Sequence, residues 1–111
     1  MSMITKYRAT GRRKESVAIV ELSSGKGEFK VNGRPYDSYF LRETDKLILK
    51  QPFKITNSLD KYDVVVKVRG GGLSGQAGAV KHGISRALAS LDDNYKLILR
   101  KANFLTRDSR S

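Results

Sequence analysis

Along residues 16–22 apolar side chains occupy both parities, with Ala18, Val20 and Leu22 alternating with Val17 and Ile19. A strand that is apolar on both faces predicts cover on both sides. Ser23-Ser24-Gly25-Lys26-Gly27 predicts a turn, and residues 28–31 return as the hairpin partner of the first strand. Asn32-Gly33 stops that strand, and Pro35 suits the first turn of a helix, where its missing N–H costs nothing. A short helix through Tyr36, Tyr39 and Phe40 follows, then a turn or two of helix over residues 44–50, interrupted by Pro52.

The clearest strand runs over residues 62–69, with Val64, Val66 and Val68 on one face and Asp63, Lys67 and Arg69 on the other. From Gln76 the period becomes helical. Ala77, Val80, Ile84, Ala87, Leu88 and Leu91 share an arc of about 100°, a core-facing stripe. Lys81 and Ser85 lie beside the stripe, while His82 and Arg86 point away from it. Asp92-Asp93-Asn94 ends this helix and offers a cap to residues 95–102, which the pattern alone leaves as helix or strand.

Composition narrows the function classes. The chain has 111 residues, read as one domain over 1–111, with 39% hydrophobic residues for a modest core. Lys and Arg number 22 against 11 Asp and Glu, a formal net charge of +11. The surplus is concentrated in a basic N-terminal segment (1–14) and a basic C-terminal segment (96–111), as in many nucleic-acid-binding domains. Self-repulsion on this scale points to a polyanionic partner. Cysteine is absent, which excludes disulfides and thiolate metal sites. No segment has signal-peptide or membrane-span character, so no membrane role is expected.

Between the clear strand and the long helix lies Arg69-Gly70-Gly71-Gly72-Leu73-Ser74-Gly75-Gln76. Backbone amides of such a turn, with a helix N-terminus and Arg69, suit a phosphate, and Ser74 and Gln76 add hydrogen-bond donors. Gly70, Gly72 and Gly75 satisfy G-x-G-x-x-G, yet a dinucleotide site needs an acid ending a second strand, whereas Asp92 and Asp93 end a helix. The loop also resembles the phosphate loop of galactokinase- and homoserine-kinase-type enzymes, but no base and magnesium carboxylate stand nearby, and Gln76 replaces the lysine of a Walker motif. Gly78 and Gly83 also suit close packing of helix on sheet. The lone His82 supports neither a metal site nor a Ser–His pair, and reads as solvated or RNA-facing. The aromatic residues mostly fall where a core needs them, with Tyr7 beside Arg8 the one stacking candidate. No catalytic residue, metal or cofactor is expected. A small nucleotide-binding enzyme and a basic protein-interaction module are the competing classes.

Two strings, Thr10-Gly11-Arg12-Arg13-Lys14-Glu15-Ser16-Val17-Ala18 and Val68-Arg69-Gly70-Gly71-Gly72-Leu73-Ser74-Gly75-Gln76, strongly resemble signature segments of the bacterial-type ninth-protein family of the small ribosomal subunit. Val31-Asn32-Gly33-Arg34-Pro35, Gly83-Ile84-Ser85-Arg86-Ala87-Leu88 and Phe104-Leu105-Thr106-Arg107-Asp108 are similar to further family landmarks, in the family's order. The resemblance implies an α+β fold. This is a mixed, mainly antiparallel four-stranded sheet backed by helices, with a β-α-β unit like the second domain of the ribosomal fifth protein. It implies a non-enzymatic constituent of the small-subunit head, bound to 16S-type ribosomal RNA beside neighbouring head proteins, in cytoplasmic or organellar ribosomes. The family's RNA-touching positions fall on Arg12, Arg13, Lys14, the 69–76 loop, Lys81 and the Arg107 region. With the charge pattern, the candidate RNA-binding residues are Arg8, Arg12, Arg13, Lys14, Arg69, Gly70, Gly71, Gly72, Ser74, Gln76, Lys81, Arg86, Arg100, Lys101, Arg107 and Arg110. The family's long basic tail, which reaches toward peptidyl-site tRNA, has no counterpart after Ser109-Arg110-Ser111, so that contact does not carry over.

Overall fold

The computed structural model describes residues 6–105. Its elements in chain order are β1 (Tyr7–Arg13), β2 (Ser16–Ser24), β3 (Phe29–Val31), β4 (Arg34–Pro35), α1 (Tyr36–Tyr39), α2 (Glu43–Ile55), β5 (Tyr62–Arg69), α3 (Leu73–Leu91) and α4 (Asp93–Lys101). The strands form one sheet in the order β1-β2-β5-β3-β4. All neighbours are antiparallel except β3 and β5, so the sheet is mixed and mainly antiparallel, as the α+β reading requires.

It has five strands where four were expected. The sequence shows β1 only as part of a basic segment, because its inward positions, Tyr7, Ala9 and Gly11, are small or amphipathic rather than strongly apolar. Asn32-Gly33 does not merely stop a strand. Both residues have positive φ (51° and 80°), and they fold the chain into a two-residue hairpin that adds β4.

β3 is also not the hairpin partner of β2. It crosses to the far side of β5 and runs parallel to it, Phe29 to Val31 against Val64 to Val66. The Asp63 carboxylate steers this crossing, accepting the backbone N–H groups of Lys26, Gly27 and Glu28 at 3.0, 3.2 and 3.0 Å. Pro52 lies inside α2 rather than ending it. An interior proline costs about 3 kcal/mol, and burial of Leu49, Pro52 and Phe53 on the same helix offsets that cost. Helices α2 and α4 both end in a Schellman motif. Asn57 (φ 55°) and Asn103 (φ 64°) take the left-handed position, and Ser58 and Phe104 donate back to the Phe53 and Leu99 carbonyls. Residues 95–102, ambiguous by pattern, belong mostly to α4, whose N-terminus Asp92 caps by accepting the Asn94 N–H at 2.7 Å.

The core lies between one face of the sheet and the helices. Ala18, Val20, Leu22, Val31, Val64, Val66 and Val68 meet the α3 stripe Ala77, Val80, Ile84, Ala87 and Leu88, all buried, while Leu91 is half-buried. Each large aliphatic side chain so buried contributes about 1.5–3 kcal/mol. α3 crosses β1 and β2 at close range: a Cβ at Gly11 would collide with the Ala79 carbonyl and the Gly83 amide, and one at Gly83 would lie 2.6 Å from Val20 Cγ2. Tyr7, the stacking candidate, is half-buried and packs against this core. No described element covers the opposite face of the sheet, contrary to the two-sided cover that β2 predicts. Ile19 is 43% exposed there and Val65 49%.

Candidate nucleic-acid interface

Arg13 and Ser16 close the β1–β2 ladder, so Lys14 and Glu15 form a two-residue turn with Lys14 in the left-handed region (φ 55°). A non-glycine residue held there is uncommon and marks a geometry imposed by its surroundings. The surroundings are the glycine loop. The buried Ser16 hydroxyl donates to the Gly70 carbonyl at 2.7 Å, and the Gln76 side-chain amide donates to the same oxygen at 3.1 Å. Gln76 in turn accepts from the Tyr39 hydroxyl at 2.7 Å. Its polar atoms thus shape the loop from beneath rather than projecting outward. Gly70 and Gly71 have positive φ (85° and 60°), and a Cβ on either would strike the β1–β2 turn at Glu15 or Ser16. Gly72, with nothing within 4 Å of a Cβ, starts α3 without any side-chain cap.

The hairpin turn, the first half of α3, Ile48 of α2 and the chain after α4 together enclose a cleft of about 440 Å³. Arg12, Arg13, Lys14, Ser74, Gly78, Lys81, His82, Asn103 and Phe104 line it with Ile48, and no carboxylate does so among the described residues. Sequence-predicted Arg12, Arg13, Lys14, Ser74 and Lys81 therefore meet at one place. Gly78 makes room for this: a Cβ there would strike Arg13 Cδ, so the arginine stem lies across the helix at that point. Lys81 is half-buried, and its ammonium sits 4.0 Å from the centre of the Phe104 ring, a cation–π contact. Burial, and secondarily the Arg13 charge, hold the Lys81 amine below the ordinary lysine range. A neighbouring anion favours the charged amine and so opposes both effects.

The other predicted residues lie elsewhere or act differently. Strand alternation puts Arg8, Arg12 and Arg69 on the uncovered face of the sheet, with Arg12 also reaching the rim of the cleft. Arg8 pairs with Glu21 at 3.4 Å. Arg86 donates to the Thr10 carbonyl at 2.9 Å, satisfying the outer edge of β1. Arg100 and Lys101 are exposed in the last turn of α4 and do not line the cleft. Arg107 and Arg110 lie outside the described residues.

His82 is not a solvated bystander. It is half-buried, with Nδ1 accepting the Arg12 N–H at 3.3 Å and Nε2 3.3 Å from the Leu105 carbonyl. An acceptor Nδ1 places the ring proton on Nε2 in the neutral form, which then donates to Leu105. Ser16, Asn103 and Phe104 do not figure among the sequence candidates, and His82, expected to be solvated or RNA-facing, lines the cleft and also holds the hairpin. A lone histidine on an outward helix position gave no signal, and the left-handed Asn103 that turns Phe104 toward Lys81 follows a helix the sequence left undecided. Among the described residues, no group of His, Asp and Glu is placed to hold a metal ion, and no helix is long and apolar enough to cross a membrane.

A family model described as "Ribosomal protein S9/S16" matches residues 11–111. A protein of Borrelia turicatae named "Small ribosomal subunit protein uS9" is 54% identical over 101 residues, covering 91% of this chain and 74% of that protein. Proteins of the same name from Anaeromyxobacter sp. strain K and Anaeromyxobacter dehalogenans are each 55% identical over 101 residues, covering 91% of this chain and 78% of theirs.

Proposed function

The chain belongs to the ribosomal protein S9/S16 family, and on that premise we propose that it serves in the small-subunit head, gripping ribosomal RNA mainly by its phosphates. As a member it is a structural constituent of the ribosome rather than a catalyst. The observation that carries the RNA reading is the cleft, where Arg12, Arg13, Lys14 and Lys81 converge with no lining carboxylate among the described residues. Such an arrangement is self-repelling until a polyanion enters, and a phosphodiester backbone supplies that charge continuously.

The roles divide by position. Lys14 and Lys81 supply charge, while Ser74 and the first-turn amides of α3, which lack intrahelical acceptors, supply neutral donors. Ser16, Gln76 and His82 hold the loop, the hairpin and the C-terminal segment in register. In this reading the chain acts as one folded unit over 1–111, in cytoplasmic ribosomes, beside other proteins of the subunit head.

The test is filter binding of small-subunit ribosomal RNA to the double variant Lys14→Ala/Lys81→Ala. Removing two phosphate contacts weakens affinity and flattens the slope of log K against log salt by up to about two units. Wild-type affinity with a wild-type slope overturns the proposal.

A further inference from the structure

We propose that the uncovered face of the sheet is a second RNA contact, seated on the shallow groove of a double-helical segment while the cleft holds another segment. The inference rests on the RNA-binding reading above and extends it from one surface to two.

Register places the outward side chains in rows across the strands. Arg12, Val17 and Arg69 form one row, Thr10, Ile19 and Lys67 the next, and Arg8, Glu21, Val65 and Lys30 the third. The result is an apolar ridge, Val17, Ile19 and Val65, rimmed by cations on β1, β3 and β5. A strand that needed cover on one face only would carry polar residues at these positions. Ile19 and Val65 stay 43% and 49% exposed, so the ridge serves something outside the fold.

Charge selects the occupant. Glu21 is the acid within the three rows, and it is already held by Arg8 at 3.4 Å and Lys6 at 3.8 Å; beside them Glu28 pairs with Lys30 at 3.7 Å, which leaves Arg12, Lys67 and Arg69 as the surplus. Asp63, further along β5, gives its carboxylate to the turn amides of residues 26–28. The rim therefore presents net positive charge to a polyanion. Geometry agrees, because β1 and β5 flank β2 and so lie two strand spacings apart, about 10 Å. The shallow groove of A-form RNA is wide and lined by ribose, with phosphates along both margins. Ribose edges meet the ridge and phosphates meet the rim.

The cleft is lined by the β1–β2 turn together with α2, α3 and the chain after α4, and it shares only Arg12 with the rows of the open face. One chain can thus hold two RNA segments that meet near Arg12.

The probe is a fluorescein-labelled RNA duplex of about 16 base pairs, the span of a double-stranded-RNA module, read by anisotropy across a salt series. Circular dichroism confirms that each variant is folded. Lys30→Gln/Lys67→Gln/Arg69→Gln is expected to lose about tenfold or more in affinity and up to about three units of salt slope. Ile19→Asp, which removes no cation, is expected to lose a similar factor. The cleft variant Lys14→Ala/Lys81→Ala is expected to lose a smaller factor in duplex affinity than either sheet-face variant, and at most the roughly two units of salt slope that its own two cations carry. Wild-type duplex binding by both sheet-face variants overturns the proposal. So does wild-type duplex binding combined with failure to enter reconstituted small subunits, which assigns the face to a neighbouring protein. Failure of the cleft variant to change small-subunit RNA binding sinks the cleft reading alone and leaves these duplex measurements to stand on their own.

Discussion

The Lys81 ammonium lies 4.0 Å above the Phe104 ring, so a residue of the long helix and one beyond the last helix together build the wall of the cleft. Phe104→Leu keeps the apolar bulk and removes the ring. A partly exposed cation–π contact is worth about 0.5–1 kcal/mol, so RNA affinity should fall about two- to fivefold, read by filter binding. The Lys81 amine titrates below the ordinary lysine range because of burial and then Arg13. Bound phosphate favours the protonated form, so wild-type affinity should decline as pH rises through that lowered value, and Lys81→Arg should abolish the decline.

The three consecutive glycines are not equivalent. Gly70 and Gly71 combine positive φ with a crowded Cβ position, whereas Gly72 has neither. Gly70→Ala and Gly71→Ala should each cost about 1–2 kcal/mol from the left-handed backbone alone, with the collision added. Gly72→Ala should leave the urea midpoint nearly unchanged.

Gly11 and Gly83 face each other where strand and helix cross, and a Cβ at Gly11 has only rigid backbone to meet. Gly11→Ala should destabilise by about 3 kcal/mol, the upper range of overpacking penalties. A loss of less than about 1 kcal/mol in urea unfolding would show that β1 shifts to accommodate it.

Asn103 ends α4 with φ 64°. Asn103→Gly should hold or raise the melting temperature, since glycine adopts this conformation without strain. Asn103→Ala should lose about 1 kcal/mol and, by releasing Phe104, should also weaken RNA binding.

The Asp63 carboxyl is held below the usual carboxylate range by the Glu28 amide first, against some burial, with the Lys26 and Gly27 amides adding to it. A lowered folded-state value means that the ionised form is the stabilising one. Its contribution is complete above the unfolded value of about 3.9 and fades as pH falls through the lower folded value. Asp63→Asn should therefore be less stable than wild type at neutral pH, with the gap closing in acid, as urea midpoints measured down the acid limb will show.

Much of the fold was legible because strong apolar periodicity marks it. The valines of β5 and the α3 stripe announce a sheet backed by a helix, and the landmarks around Arg12 and Gly70 announce the site. What stayed hidden depends on contacts remote in sequence. β1 has no apolar signature until α3 presses on Gly11. β3 reads as a hairpin partner of β2 until the Asp63 carboxylate gathers the intervening amides and sends the chain across β5. Helix α2 passes Pro52 because burial on either side of it outweighs one missing N–H. His82 gains its role only from Arg12 and Leu105, which are distant along the chain.

The two borders of the sheet have a bearing on the life of the chain before it meets RNA. At one border Arg86 and His82 occupy the outward carbonyl of Thr10 and the outward amide of Arg12. At the other, the final strand is two residues long and ends in Pro35, which has no N–H to offer. Another copy of the protein finds little at either border onto which it could add a strand. A newly synthesised molecule waiting for its ribosome is thereby shielded from the fibril-like stacking that unguarded sheets invite.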